Sequence, residues 1–144
     1  MDLERFRFLE KIAIADIAFE AYGRTLEELF ESSALALFEA MVKVDTVQAN
    51  QTESIQLESD KIEDLLFDWL SELVYIKDAK AMLFSSFNLK IEDKRKYYLQ
   101  AQAQGEKIEP GKHHLKVDVK AVTYHMLEVK RENNQWTAQV ILDI

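Results

Sequence analysis

The sequence contains no cysteine. This absence excludes disulfide bonds, catalysis by a thiolate and zinc sites with cysteine ligands, and it fits a reducing compartment. Three histidines remain, namely His113, His114 and His125. Any acid–base or metal chemistry that uses an imidazole is therefore limited to these three positions.

Glycine and proline are also scarce, with three glycines and one proline in the chain. A phosphate-cradling loop needs closely spaced glycines, and the sequence has no such loop. It also lacks the Gly-x-Ser-x-Gly and His-Glu-x-x-His patterns of two large hydrolase classes. The absence of catalytic motifs predicts that the chain is not an enzyme.

Long apolar runs are missing as well. No window approaches the roughly 18 consecutive apolar residues of a membrane-spanning helix. The first ten residues, MDLERFRFLE, are charged and lack the apolar run of a secretion signal. We therefore expect a soluble, cytoplasmic protein without a membrane partner.

Positive charge is in the minority, with 18 Lys and Arg against 26 Asp and Glu and a formal net charge of −8. An acidic surface repels phosphate backbones and anionic lipids, which disfavours direct, tight binding of nucleic acid. A basic protein partner or a bound cation fits the same charge. The length of 144 residues and the hydrophobic content of 48% predict one domain, residues 1–144.

Two segments have the apolar periodicity of amphipathic helices. The first begins after Thr25, whose side chain can cap the helix while Glu28 reaches back, and it runs to about Val42. The second repeats this capping pattern at Asp60 and runs to about Val74 or slightly beyond. Each helix carries one apolar stripe, so each is expected to pack on a sheet.

The remaining segments are short apolar runs or alternate with period two, as strands do. Two runs at the end of the chain surround a polar, Asn-containing linker and predict a C-terminal β-hairpin. The predicted fold class is α+β: a two-layer domain with two main amphipathic helices packed on a largely antiparallel or mixed β-sheet. The strand-like runs cover residues 12–22, 54–58, 87–91, 97–106, 117–130 and 136–144.

Asp16 interrupts the apolar run of the first strand, between Ala15 and Ile17. Burying an ionised carboxylate alone costs several kcal/mol, so Asp16 needs a cation, hydrogen-bond donors or water. Two interpretations remain open at this point: a strand-end Asp that binds backbone amides or a Lys, and a ligand in a cation site.

Asp143 lies between Leu142 and Ile144 at the end of a strand-like run. If the first and last strands are neighbours, Asp16, Asp143 and a main-chain oxygen of Ile144 converge. Like-charged oxygens in this position raise each other's pKa unless a cation neutralises them. Oxygen ligands suit a hard divalent ion such as Ca²⁺ or Mg²⁺.

Lys120 and His125 belong to the run KAVTYH, where Lys120 could pair with a carboxylate at the Asp site. His125 could be an acid, a base or a ligand, but packing with a hydrogen bond is the more common role of a lone histidine among apolar neighbours. His113 and His114 follow Pro110 in a predicted turn, and we interpret them as part of a solvated loop.

The chain resembles the archeases, small proteins that assist the RtcB-type tRNA-splicing RNA ligase. The resemblance spans nearly the whole chain, and the order and spacing of its motifs are specific. These motifs are ADIAFEAYG (15–23), TLEELFESSALALFEAM (25–41), LLFDWLSELVY (65–75), LFSSFNLKI (83–91), VKAVTYHMLEV (119–129) and VILDI (140–144).

The resemblance implies a non-enzymatic activator that promotes guanylylation of the ligase and its multiple turnover, with RNA contacted through the ligase. It also implies a divalent-metal site, described as calcium in family members, with Mg²⁺ or Mn²⁺ as alternatives. Carried over to this sequence, the metal residues are Asp16, Asp143 and Ile144. Lys120 and His125 become candidates for contacts to the partner or for support of the site.

The sequence departs from the family where many archeases read His-Thr-Ala-Asp. Here Ala13 and Ile14 replace the His and Thr before Asp16, so the roles of those two side chains are not carried over. Two other functions stay open on the residues alone. One is a metal-dependent phosphoesterase that uses the Asp pair, and the other is a chaperone-like scaffold for RNA-modifying enzymes.

Overall fold

The computed structural model describes residues 4–9 and 16–144, and within these ranges it has eight β-strands and two α-helices. A short 3-10 helix, Val44–Thr46, follows the first α-helix. The elements in chain order are β1 (Phe6–Leu9), β2 (Asp16–Gly23), α1 (Leu26–Met41), β3 (Gln51–Ser59), α2 (Ile62–Lys80), β4 (Met82–Asp93), β5 (Tyr97–Lys107), β6 (Ala121–Val122), β7 (Glu128–Glu132) and β8 (Gln135–Asp143).

The strands form two antiparallel sheets. One sheet has the order β1–β2–β8–β6, with β7 also paired to β8, and the other has the order β3–β5–β4. Helix α1 packs against β2 and β4, and α2 packs against β3 and β6, so each helix contacts both sheets. The predicted α+β class, with two helices on antiparallel sheet, is confirmed. The division into two sheets was not apparent from the sequence.

Helix α1 begins as its capping residues predict. The hydroxyl of Thr25 accepts a hydrogen bond from the Glu28 amide at 3.1 Å. The Glu28 carboxylate reaches back to the Arg24 amide at 3.2 Å, one residue before the expected target. These bonds satisfy amides that the first helical turn leaves free. The helix ends at Met41, next to the predicted Val42.

Helix α2 differs from the prediction at both ends. Asp60 does not cap it: the N-cap is Lys61, which makes no side-chain capping hydrogen bond. The helix also continues to Lys80 because Ile76 and the stem of Lys77 extend its buried side beyond Val74. It stops at Ala81, which adopts a left-handed conformation with φ 52° and ψ 48°.

The predicted strand over 117–130 is interrupted. Its residues form the short strand β6, a turn over 124–127 and strand β7. The Leu127 amide donates to the Tyr124 carbonyl at 3.1 Å, and Met126 has a φ of 55°. Without glycine or proline in this segment, local sequence did not indicate the turn.

The other strand predictions correspond to observed strands. Strand β2 covers the described part of the predicted 12–22 run, and residues 12–15 lie outside the described residues. Strands β7 and β8 form the expected C-terminal hairpin. Its turn residues, Asn133 and Asn134, have φ values of 53° and 62°, as a two-residue type I′ turn requires.

The helices and both sheets share one apolar core. Trp69 is fully buried in it, as its place in the α2 stripe predicts, and its indole N–H donates to the Phe30 carbonyl of α1 at 3.1 Å. Phe38 packs edge-on against Phe84 of β4 with ring centroids 5.6 Å apart. Neither of the two helices described is long and apolar enough to cross a membrane.

Candidate metal centre and its surroundings

Asp16 and Asp143 are directly opposite each other in the antiparallel pairing of β2 with β8. Opposite residues of such a pair project from the same face, with Cβ atoms about 4.5–5.5 Å apart. The condition that the sequence left open, that the first motif strand and the last strand are neighbours, is therefore met. This register makes the two carboxylates candidate ligands of one shared cation.

The face that carries these carboxylates is the one turned away from the main core. Phe19 and Ala21 belong to the core, so Asp16 and Ala18 lie on the opposite face of β2. The next pair on that face is Ala18 with Ile141, and both are buried, at 0% and 1% exposure. Asp16 and Asp143 are each half-buried beside this apolar pair.

The two aspartate side chains lack ionic partners in the part of the chain that the structure describes. Within residues 4–9 and 16–144, neither carboxylate takes part in an ion pair or accepts a side-chain hydrogen bond. Two adjacent carboxylates near apolar surface repel each other more strongly than they would in water. A cation fits this arrangement, because no side chain of the described residues compensates the repulsion.

The end of β8 is held on its other side by β6. Ala121 pairs with Asp143, and the Lys120 amide donates to the Asp143 carbonyl at 2.8 Å. The Thr123 amide and hydroxyl both donate to the Ile141 carbonyl, at 3.1 and 3.0 Å. Strand β8 is thus fixed between two neighbours up to Asp143, and half-buried Ile144 follows at once.

The side chains of the pair offer carboxylate oxygens as ligands. Among the residues that the structure describes, no three His, Cys, Asp or Glu side chains are grouped so that they could hold a metal ion. A cation at Asp16 and Asp143 would therefore complete its coordination with main-chain oxygen, such as that of Ile144, and with water. Ca²⁺ and Mg²⁺ accept such ligands, whereas structural zinc does not.

Lys120 contacts Asp143 through its main-chain amide. Its side chain is exposed and makes no ion pair with any described residue. The segment before it is anchored by buried Lys77 of α2, whose ammonium lies 2.5 Å from the Asp118 carboxylate and 3.1 Å from the Val119 carbonyl. Lys77 therefore positions the main chain that reaches Asp143, a role that the helical stripe alone did not reveal.

His125 is exposed and belongs to the turn after β6. The expectation that it packs among apolar neighbours is wrong, because the turn ends the strand before His125 is reached. It lies near neither aspartate in the pairing register, which places Ala121 beside Asp143.

The burial of His113 differs from the prediction made from the sequence. We expected a solvated loop, yet His113 is 4% exposed. Its Nδ1 accepts from the Glu109 amide at 2.9 Å, so the proton is assigned to Nε2, which lies 2.9 Å from the Glu106 carboxylate. His114, in contrast, is exposed as predicted.

Glu106 is the centre of this second cluster. Its carboxylate accepts from the Gln48 amide at 2.7 Å and from Lys112 at 2.6 Å. These bonds, the Gln48 amide first, then Lys112 and His113, lower the pKa of Glu106 to about 2. Among the described residues, every buried side-chain nitrogen and oxygen has a hydrogen-bond partner. This cluster therefore ties the loop after β5 to the segment before β3 and is not an open site. One indication of this cluster was visible in the sequence, namely the turn at Pro110, which brings His113 back against β5.

Comparisons with a protein-family model and with individual proteins indicate the same family. The model of the Archease protein family (MTH1598/TM1083) matches residues 6–144. Protein archease of Pyrococcus furiosus is 43% identical over 132 residues, covering 90% of this chain and 93% of that protein. Protein archease of Methanothermobacter thermautotrophicus is 41% identical over 143 residues, covering 99% and 100%.

Two solved structures share the fold. The solution structure of Methanobacterium thermoautotrophicum protein 1598 is 42% identical, with a TM-score of 0.86 over 96% of this chain and 98% of that one. The crystal structure of an archease from Thermotoga maritima, described as a possible chaperone, is 22% identical. It has a TM-score of 0.62 over 92% of this chain and 93% of that one, which shows the fold alone. The extent of the family match and the identity to these relatives show that the chain belongs to the archease family.

Proposed function

We propose that this chain activates an RtcB-type tRNA-splicing RNA ligase, promoting its guanylylation and multiple turnover in the cytoplasm without being an enzyme itself. The observation that carries the proposal is the direct pairing of Asp16 with Asp143 on adjacent strands of an archease-family chain. The description of the Thermotoga relative as a possible chaperone agrees with an accessory role in general terms.

The paired aspartates, together with a main-chain oxygen of Ile144, are proposed to hold a divalent cation, with Ca²⁺ the leading candidate and Mg²⁺ or Mn²⁺ as alternatives. A bound cation supplies positive charge that can orient phosphate or carboxylate oxygens of a partner. The residues of this chain fix its place: the β2–β8 register sets the separation of the carboxylates, and the Lys120 amide holds the Asp143 main chain.

Charge supports a protein partner over direct binding of RNA. The net charge of −8 repels a phosphate backbone and complements a ligase that must itself be basic to bind RNA. RNA is therefore contacted through the ligase in this proposal. Exposed Lys120, which precedes β6 beside Asp143, is the proposed cationic contact of this chain to the partner.

The test is ligation of a broken tRNA by the cognate ligase under multiple-turnover conditions, with and without this protein. Asp16→Asn and Asp143→Asn keep the side-chain shape and remove one charge each. The matched control is Asp93→Asn, which removes an exposed charge at the end of β4 in the other sheet. We expect acceleration by the wild type and the control, and its loss in the two site variants.

Each contrary result has a distinct meaning. No acceleration by the wild type would reject the activator function. Equal acceleration by all four proteins would leave the activator function in place and reject the cation site. Chelator-sensitive hydrolysis of phosphate esters by the isolated protein would instead support a phosphoesterase.

A further inference from the structure

A second exposed feature lies where α2 meets the turn after β6. The ring of Tyr124 stacks on Phe67 with centroids 3.9 Å apart and an interplanar angle of 14°. Tyr124 is nevertheless 57% exposed, so one face of its ring is covered by Phe67 and the other is open to a ligand. An open aromatic face of this kind favours binding of a cation or a planar group.

The position of Tyr124 is fixed by its neighbours on both sides. Thr123 is bonded to the Ile141 carbonyl through its amide and hydroxyl, and the Tyr124 carbonyl accepts from Leu127. Leu127 packs against the core. The ring is therefore held in place before any partner arrives, which reduces the entropy lost on binding.

Two acidic residues flank the aromatic stack. Asp64 and Asp68 are one helical turn apart on α2, on the face that Phe67 shares. Burial raises the pKa of Asp68, and Asp64 raises it further. Burial, followed by Asp64 and Asp68, also raises the pKa of the Tyr124 hydroxyl. The four groups thus form one connected surface, which we name the aromatic–acidic patch: Asp64, Phe67, Asp68 and Tyr124.

The fold does not neutralise the charge of this patch. Over the ranges 4–9 and 16–144, neither Asp64 nor Asp68 takes part in an ion pair. Asp64 gains from the helix dipole because it lies in the first turn, but Asp68 is beyond that turn. Asp68 is consequently unfavourable for the free protein at neutral pH, and a partner with positive charge would offset this cost.

We infer that the aromatic–acidic patch binds an arginine-bearing basic segment of the ligase. The inference rests on the proposed ligase partnership. A guanidinium group can stack on the open face of Tyr124 while its N–H groups donate to Asp64 and Asp68, and its planar fork suits this geometry better than an ammonium. The negative charge of the patch disfavours RNA and anionic membranes in the same place.

The patch and the aspartate pair are close in the chain, because β6 and the turn after it contribute to both. Ala121 lies beside Asp143, and Tyr124 follows three residues later, about 10 Å along an extended chain. Val122 belongs to the core, so Tyr124, two residues later and stacked on α2, lies on the core side of β6, whereas Ala121 and Asp143 lie on the other side. The patch would therefore give the ligase a second contact, separate from the cation site. In this arrangement the patch provides affinity, and the aspartate pair provides activation.

The inference is tested by measuring ligase binding calorimetrically at low and high salt. The variants are Asp64→Asn combined with Asp68→Asn, and separately Tyr124→Leu. The matched controls are Asp93→Asn for charge and Tyr75→Leu for an aromatic ring, since Tyr75 is 65% exposed further along α2. We expect Kd to rise about tenfold or more in the two patch variants and to change less than about twofold in the controls.

The charge variant has two further signatures. Its binding should depend less on salt than that of the wild type, because two screened attractions are gone. At saturating concentration it should still give full acceleration of the ligase, so that only the concentration for half-maximal effect shifts. Asp68→Asn is expected to unfold at a higher temperature than the wild type, so weaker binding cannot be attributed to misfolding.

Three results would overturn the inference, and they can be distinguished. Wild-type binding with patch variants within about twofold of it rejects the patch alone and leaves the activator function standing. No binding of the wild type to the ligase rejects both. A wild-type homodimer that dissociates in the patch variants assigns the patch to a second copy of this chain.

Discussion

Asp16 of β2 and Asp143 of β8 are cross-strand neighbours, and among the described residues neither carboxylate forms an ion pair with a Lys, Arg or His side chain. Adjacent carboxylates of this kind destabilise the free protein and become favourable when a divalent ion is bound. The proposed cation site therefore predicts that the stability of the fold depends on cation binding, and this dependence can be measured.

Calcium is expected to raise the unfolding temperature of the wild type. At a free concentration one hundredfold above Kd the gain is about 2.7 kcal/mol, by mass action. Asp16→Asn and Asp143→Asn should lose this gain, yet each should be more stable than the wild type in the presence of a chelator because the repulsion is removed. Thermal unfolding is measured with calcium and with chelator, and it checks both the lost calcium effect and the higher stability of the variants in chelator. A calcium effect in either variant equal to that of the wild type would contradict the site.

Glu106 should make the stability of the protein depend on pH in the acidic range. Its pKa is about 2 in the folded protein against an ordinary value of 4.5. Because the folded pKa is the lower one, the stabilisation is complete above about pH 5 and is lost as pH falls through about 2. Glu106→Gln should therefore be less stable than the wild type at neutral pH, with a difference that shrinks towards pH 2. Glu58→Gln, an exposed change on β3, is the control for denaturant unfolding across this range.

Ala81 ends α2 in a left-handed conformation that costs an L-residue with a Cβ about 1–2 kcal/mol. After allowing for the greater freedom of glycine in the unfolded chain, Ala81→Gly should stabilise the protein by about 0.5–1 kcal/mol. Ala79→Gly, two residues earlier and inside the helix, should destabilise it by a similar amount. Urea unfolding of the two variants should show free energies of unfolding that change in opposite directions. Stabilisation by both substitutions would argue against the observed helix end.

Lys77 is a buried lysine that bonds the Asp118 carboxylate and the Val119 carbonyl. Lys77→Met keeps the apolar stem but leaves that carbonyl without its donor, which should cost about 1–3 kcal/mol. It should also increase hydrogen exchange at Lys120, whose amide bonds Asp143. The control is Lys80→Met, which breaks an exposed pair with Glu53 and should cost no more than about 1 kcal/mol. Equal effects of the two changes would remove the anchoring role of Lys77.

The candidate site was predictable in part. An aspartate inside an apolar strand is costly wherever the strand goes, so Asp16 could be selected before the fold was known. The neighbours of Asp16 could not be predicted. Hydrophobic alternation shows on which face of a sheet a residue lies, but it does not show which strand lies beside it. The residues Ala13 and Ile14, where this chain departs from many archeases, lie outside the described residues.

Local chemistry determined several elements by itself. The Thr25 cap, the two apolar helical stripes and the paired asparagines of the β7–β8 turn act over a few residues, and each appears in the fold. The acidic composition likewise predicts a basic protein partner or a bound cation without reference to any structure, and this stays a prediction. These features depend on short-range sterics, hydrogen bonds and periodicity, which a sequence displays directly.

Only the tertiary structure decided the rest. The placement of β8 between β2 and β6 brings Asp143 to Asp16, and the packing of β6 against α2 brings Tyr124 onto Phe67. The burial of His113 against Glu106 was likewise decided only by the tertiary structure. In each case the free energy comes from contacts between residues far apart in the chain, and these can override a local preference for continuous strand or solvated loop. The sequence by itself selected Asp16 as a candidate functional residue, and the order of the strands decided that Asp143 stands opposite it.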